Sequence, residues 1–419
     1  MAAAHAPTSM AHRTRRMTGR DPDQEGRAAT PLELLFDLTF VVAVGQAASL
    51  FAHLVAEGHV GAGIVALAFS TFAVTWAWIN FSWFASAFDT DDWVFRVVTM
   101  VQMVGVCILA LGLPDLFHSV DEGGHVDNRV VVLGYVVMRL AMVFQWLRVA
   151  RQAPEHRRAA MIYVRAIVAA QAGWVVLALL GLTLVPTLAI VVLLTVIEFL
   201  GPWIAERVGT GTPWHAHHIA ERYSLFAIIA LGEGVVGTVA ALSSAQGVAG
   251  GIGTDVMLVG AAGIGLTFGM WWTYFMLPSG ELLQRHRELG FPWGYLHVIL
   301  FGAIIATGAG LHVGALALEG QSHLGTVGTV ASVALPVELY LVSVYVTYAV
   351  LVRAVDGLHL GLLAGSTGVL LVAGALAAAG LAMPVCLVVV ALAPLVTVVG
   401  YETVGQRHAQ RLVQRATAS

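Results

Sequence analysis

The sequence predicts an all-α polytopic integral membrane protein with about twelve transmembrane helices, arranged as two parallel six-helix repeats. Three observations carry this. Hydrophobic residues make up 58% of the 419 residues and charged ones 11%, with mean hydropathy +0.82, whereas a soluble domain carries about 25% charged residues. The apolar residues fall into runs of about twenty, the length that crosses a bilayer as a helix. The arginines concentrate in alternate connections, as the positive-inside rule requires.

The elements follow in order. Residues 1–30 form a basic tail, expected to be disordered and cytoplasmic, without the apolar run of a cleavable signal peptide. A first six-helix half covers 31–205, with spans near 31–56, 61–86, 96–114, 129–149, 160–181 and 183–205. A cytoplasmic connection over 206–219 leads to the second half, 220–403. Its spans fall near 220–242, 254–277, 293–318, 324–352, 358–380 and 383–403, before a cytoplasmic tail at 404–419. The tight connections at Gly181–Thr183 and Gly380–Met383 are also compatible with re-entrant hairpins. With both termini in the cytoplasm, Arg13, Arg15, Arg16, Arg20, Arg27, Arg148, Arg151, Arg157, Arg158, Arg285, Arg287, Arg353, Arg407, Arg411 and Arg415 are all inside. Arg129 alone lies in an outside loop, beside Asp115, Asp121, Glu122 and Asp127.

The repeat rests on three matches in chain order. Ala43-Val44-Gly45-Gln46 meets Ala230-Leu231-Gly232-Glu233 at a shift of about 187 residues. Trp78-Ile79-Asn80-Phe81 meets Trp272-Thr273-Tyr274-Phe275 at about 194, and Arg139-Leu140 meets Glu338-Leu339 at about 199. Six spans per half give the copies one orientation, so a pathway between the halves is the natural site.

Several function classes drop out. A net charge of −4 with no basic domain surface argues against a nucleic-acid partner. Cys107 and Cys386 both sit in apolar spans and offer neither a disulfide framework nor metal spacing. The His215–His218 stretch is dense in histidine but lacks nearby Cys or Asp, so no metal centre and no cofactor are expected. No P-loop, histidine–acidic metal box or nucleophile elbow occurs.

The segment Glu33-Leu34-Leu35-Phe36-Asp37-Leu38, the turn Phe88-Asp89-Thr90-Asp91-Asp92 with Arg96, and Glu221-Arg222-Tyr223 through Gly232-Glu233 resemble the bacterial low temperature requirement A family. The resemblance runs from about Pro31 to Thr403; Leu35 stands where an aromatic is common. It implies a polytopic protein of the bacterial plasma membrane, associated by name with growth in the cold. It supplies no catalytic residues, so the chemistry rests on the chain's own buried charges.

A charge at the bilayer centre costs roughly 2.5–3.5 kcal/mol on insertion scales, so charges kept there pair with one another or line a cavity. Glu33 and Asp37 share a helix face. Glu33 reads as a helix-start carboxylate, and Asp37 either as a structural partner or as a proton or cation site. Glu221 and Arg222 point about 100° apart and read as structural locks, each requiring a partner on another helix. Glu233 sits near mid-membrane beside Gly232, Gly234 and Gly237, which explain close packing but not the carboxylate. Arg139 cannot lose its proton; Asp37, Glu198, Glu233 and Glu338 compete for it, and a network with Glu233 or Glu338 is the expected outcome. His297 and His312 are candidates to extend a proton relay. Trp76, Trp78, Trp83, Trp271 and Trp272 read as packing or belt aromatics, or as an aromatic lining for an organic ligand.

The leading expectation is a proton- or cation-linked transporter or channel, with the lipid bilayer as environment and a homo-oligomer compatible with it. The alternatives are an intramembrane enzyme acting on a lipid or isoprenoid, and a structural or stress-related protein whose charges only lock helices. A polar path, a pocket open sideways to lipid, or fully paired charges in a dry bundle would separate the three.

Overall fold

The computed structural model describes residues 14–249 and 253–405. The two ends of the chain, including the expected tail from 406 onward, lie outside the described residues. The first half consists of α1 (Pro31–Ala56), α2 (Val60–Phe88), α3 (Trp93–Leu111), α4 (Leu113–Glu122), α5 (Arg129–Gln152), α6 (Arg157–Leu180) and α7 (Leu184–Ala205). The second consists of α8 (Ala216–Ala249), α9 (Thr254–Phe275), α10 (Ser279–Arg285), α11 (Gly290–Leu318), α12 (Thr326–Val352), α13 (Gly357–Ala378) and α14 (Met383–Gly400). No strand occurs among the described residues.

Among the described residues, eleven helical stretches are long and apolar enough to cross a membrane. The chain is therefore a multi-pass membrane protein. The expected eighth span is α9, a helix of 22 residues packed against α8 and α14. Both short connections join separate long helices, α6 to α7 and α13 to α14. Gly181 (φ +53°) and Gly380 (φ +89°) reverse the chain there in the left-handed region.

Local chemistry sets the helix starts. Thr30 and Glu33 form a capping box: the Thr30 hydroxyl accepts from the Glu33 N–H at 3.3 Å, and the Glu33 carboxylate accepts from the Thr30 N–H at 2.8 Å. Pro31 supplies the first turn. Asp92 caps α3 by accepting from the Phe95 N–H at 2.8 Å, and also takes an ion pair from Arg148 on α5. Asp356 caps α13 through the N–H groups of Leu358 and His359.

The expectation of a disordered tail does not hold for residues 14–30. They form an irregular strap across the arginine-rich face, because polar groups at four helix ends satisfy their backbone. Arg15 N–H donates to Asp92, Met17 N–H to Gln152 and Arg20 N–H to the Ala87 carbonyl. His215 and Gln284 reach the strap at Gln24 and Asp23, and Met17 is fully buried.

Under the strap, burial pushes the Asp89 carboxyl up to about 6, with nearby Glu33 adding to the shift and Arg27 opposing it. A carboxyl raised above its unfolded value contributes stability that is complete below the ordinary aspartate range and lost as pH rises through about 6. The ionised form thus costs on the order of 2–3 kcal/mol at neutral pH. Asp89→Asn is expected to leave the Tm unchanged at pH 4 and to raise it at pH 7.5; a lower Tm at pH 7.5 would contradict this reading.

Candidate functional site

Helices α1, α8 and α11 pack on one another where the halves meet, and Glu33, Asp37, Arg222 and Glu233 are distributed along their seam. Closest to the arginine-rich face, Glu33 lies 3.2 Å from His218, both side chains fully buried. One turn further in, Arg222 donates both terminal nitrogens to Asp37, at 2.8 and 2.6 Å. Trp78 donates its indole N–H to the same carboxylate at 2.7 Å. The pair is buried on both sides, and bidentate geometry offsets the desolvation it incurs. Arg222 and Asp37 thus meet across the halves, α8 against α1. Glu221 is half-buried and has no ion-pair partner among the described residues.

Beyond this lock the seam turns aromatic. Phe226 packs on Trp78 at 4.5 Å and on Phe301 at 4.9 Å between ring centroids, with Phe40 at 6.2 Å. Glu233 follows, 8% exposed. No ion pair or hydrogen bond reaches its carboxylate among the described residues. Glycines make its place: a Cβ on Gly45 would stand 3.3 Å from Glu233 Oε1, and one on Gly308 would stand 2.6 Å from the Glu233 backbone carbon. At the far end, the rings of His53 and His312 face each other at 5.6 Å.

Arg139 lies elsewhere, inside the first half. Its expected partners, Glu233 and Glu338, are on α8 and α12, and neither meets it. Glu198 on α7 takes that place at 2.7 Å, because α5, α6 and α7 pack consecutively and bring the two mid-span charges to one level. Glu198 also accepts from Trp76 at 2.9 Å, Tyr135 at 3.0 Å and Gln171 at 3.3 Å. Arg139 and Glu198 therefore form an enclosed pair, buried on both sides. Glu338 accepts from Thr367 on α13 at 2.8 Å, away from both networks.

The histidines divide by partner. His297 donates from Nδ1 to the Trp293 carbonyl at 2.8 Å, so its Nε2 accepts from the Tyr274 hydroxyl at 3.1 Å. It lies roughly 16 Å along α11 from Gly308, too far to relay to Glu233. His215 and His218 serve local hydrogen bonds, and no metal-binding cluster occurs among the described residues.

One pattern on α2 goes beyond the packing or lining role expected of its tryptophans. Three tryptophans of α2 each aim the indole N–H at a buried acceptor: Trp76 at Glu198, Trp78 at Asp37, and Trp83 at the Tyr223 hydroxyl at 3.0 Å. The signal was present as three tryptophans on one span, each carrying an N–H donor on a large apolar ring. By contrast, Trp271 and Trp272 are nearly half exposed on the outer surface, as belt aromatics are.

The family model for the bacterial low temperature requirement A protein (LtrA) matches residues 28–394. The chain belongs to this family. An uncharacterised protein of Rhizobium meliloti (strain 1021) is 25% identical over 318 residues, 72% of this chain and 73% of that protein. No solved structure matches. The motifs that carried the resemblance to LtrA proteins coincide with the seam: the first supplies Glu33 and Asp37, the third supplies Arg222 and Glu233. The acidic turn between them forms the cap and ion pairs under the strap.

Proposed function

We propose that the protein is a proton-linked membrane transporter or channel in which Glu233 takes up and releases the proton. The observation that carries this reading is a mid-span carboxylate buried between two glycines, with no cation beside it among the described residues. A purely structural charge would be answered, as Asp37 and Glu198 are answered by Arg222 and Arg139. The Arg222–Asp37 pair then acts as a fixed lock on one side of the protonatable group, with His53 and His312 on the other. This account keeps Asp37, Arg139, Glu198, Glu338 and His297 off the proton path.

A groove of about 530 Å³ between α1, α2, α11 and α12 also opens toward lipid. Phe51, Leu67, Gly302 and Ala306 line it, and no carboxylate or histidine does. It lacks an acid–base pair, so the intramembrane-enzyme reading gains nothing from it.

The topology belongs to the same proposal. With α9 as the twelfth crossing, both termini lie in the cytoplasm of a bacterial plasma membrane, and the strap faces inward with the arginines. The repeat is supported by matching neighbour orders: α1–α3–α5–α6–α7 in the first half, α8–α11–α12–α13–α14 in the second.

Infrared difference spectroscopy after a pH jump tests the assignment of Glu233. A carboxyl C=O band that changes in the wild type is expected to be missing from Glu233→Gln. The same band persisting in that variant would remove Glu233 from the mechanism.

A further inference from the structure

A second polar site lies apart from the seam, inside the second half. Tyr274 and Thr273 of α9, Trp293 and His297 of α11, Tyr345 and Tyr348 of α12 wall a cavity of about 60 Å³ that α13 and α14 close. Most of its polar atoms are satisfied within the wall: Tyr274 with His297 at 3.1 Å, Tyr345 with Thr397 at 3.0 Å, Thr273 with Tyr340 at 2.9 Å. Two are not. The Tyr348 hydroxyl and the Trp293 indole N–H are buried without a hydrogen-bond partner, and such groups cost about 1–3 kcal/mol each when left unmade.

The chemistry of the wall restricts what could answer them. Trp293 can only donate, so the missing group is an acceptor. Neither Arg, Asp nor Glu lines this cavity among the described residues, and Asp356, which lines its neighbour, already engages His359 and caps α13. The Tyr348 ring stacks on His359 at 4.2 Å and 26°, and Tyr345 meets the same imidazole edge-on at 6.1 Å. These aromatic faces suit a flat ring. A neighbouring cavity of about 140 Å³ shares Tyr345, Tyr348 and His359 and continues between α12 and α13 to Val346, Val355 and Leu360. Those three are 41%, 70% and 55% exposed, with Val355 in the α12–α13 connection and Leu360 in the first turn of α13. The pair of cavities therefore opens between the adjoining ends of α12 and α13.

We propose that this pair of cavities binds the head of a membrane-soluble quinone. Its ring lies against the Tyr348–His359 stack, one carbonyl oxygen accepts from Tyr348, and its isoprenoid tail leaves between α12 and α13. A neutral, flat ring with acceptor oxygens and an apolar tail answers the unpaired Tyr348 hydroxyl and fits the opening between α12 and α13. No redox step is part of the assignment; it concerns binding alone.

Equilibrium dialysis of tritiated menadione against the full chain in lipid nanodiscs, with empty nanodiscs as blank, tests it. Saturable binding above the blank is expected in the wild type. Tyr348→Phe, which keeps the ring and removes one hydroxyl, is expected to weaken it about 5–10-fold. Leu363→Trp, placed in the α12–α13 entry, should also reduce binding, while Glu233→Gln should leave it unchanged because the site is independent of the proton seam. Binding no greater than the blank, or equal affinity in the wild type and a folded Tyr348→Phe, would overturn the proposal.

Discussion

Replacing Asp37 with alanine is expected to destabilise the protein by about 3–5 kcal/mol, the range for breaking a buried ion pair. Arg222 would be left fully buried, with Ser82 as its remaining side-chain partner at 3.4 Å. A guanidinium cannot shed its proton to escape that position. Arg222→Ala should cost less, because the abandoned Asp37 can neutralise itself and still accept from Trp78. Asp37→Leu combined with Arg222→Met should recover most of the loss, since an apolar pair removes the desolvation and the attraction together. Thermal unfolding in detergent reads all four proteins. Single variants as stable as the wild type would show that the pair does not hold α1 against α8.

The second large effect is steric. Gly134 on α5 faces Gly105 on α3, and a Cβ at Gly134 would stand 2.5 Å from the Gly105 carbonyl oxygen and press on the Leu109 backbone. Backbone atoms cannot rotate away as a side chain would, so the two helices must separate. Gly134→Val should therefore lower the Tm by more than Gly232→Val, where a Cβ meets open space. The cost is at the upper end of, or beyond, the roughly 1–3 kcal/mol of overpacking. Equal Tm values for the two variants would contradict the close approach of α3 and α5.

Spans were legible in the sequence because length and hydropathy alone decide what crosses a bilayer. Asp37, Arg222 and Glu233 were equally legible as residues, since a charge in an apolar run has to be explained. Their partners were harder to read. Arg222 and Asp37 lie 185 positions apart, and only the packing of α1 on α8 brings them together. Arg139 found Glu198 instead of Glu233 or Glu338 because neighbouring helices in one half meet at mid-span, whereas the repeat directed attention between halves. The strap was misread for a different reason. Its arginines resemble those of a solvated tail, and what orders it is a set of backbone hydrogen bonds to helix-end residues that no composition reveals.

Proton flux in proteoliposomes tests the central claim most directly. A trapped pH dye would follow the wild type, Glu233→Gln, and the double variant Asp37→Leu with Arg222→Met, under an imposed potential. The account predicts protein-dependent flux in the wild type, its loss in a folded Glu233→Gln, and its retention in the double variant, whose lock is replaced but whose carboxylate remains. Undiminished flux through Glu233→Gln, or none through the wild type, would contradict it.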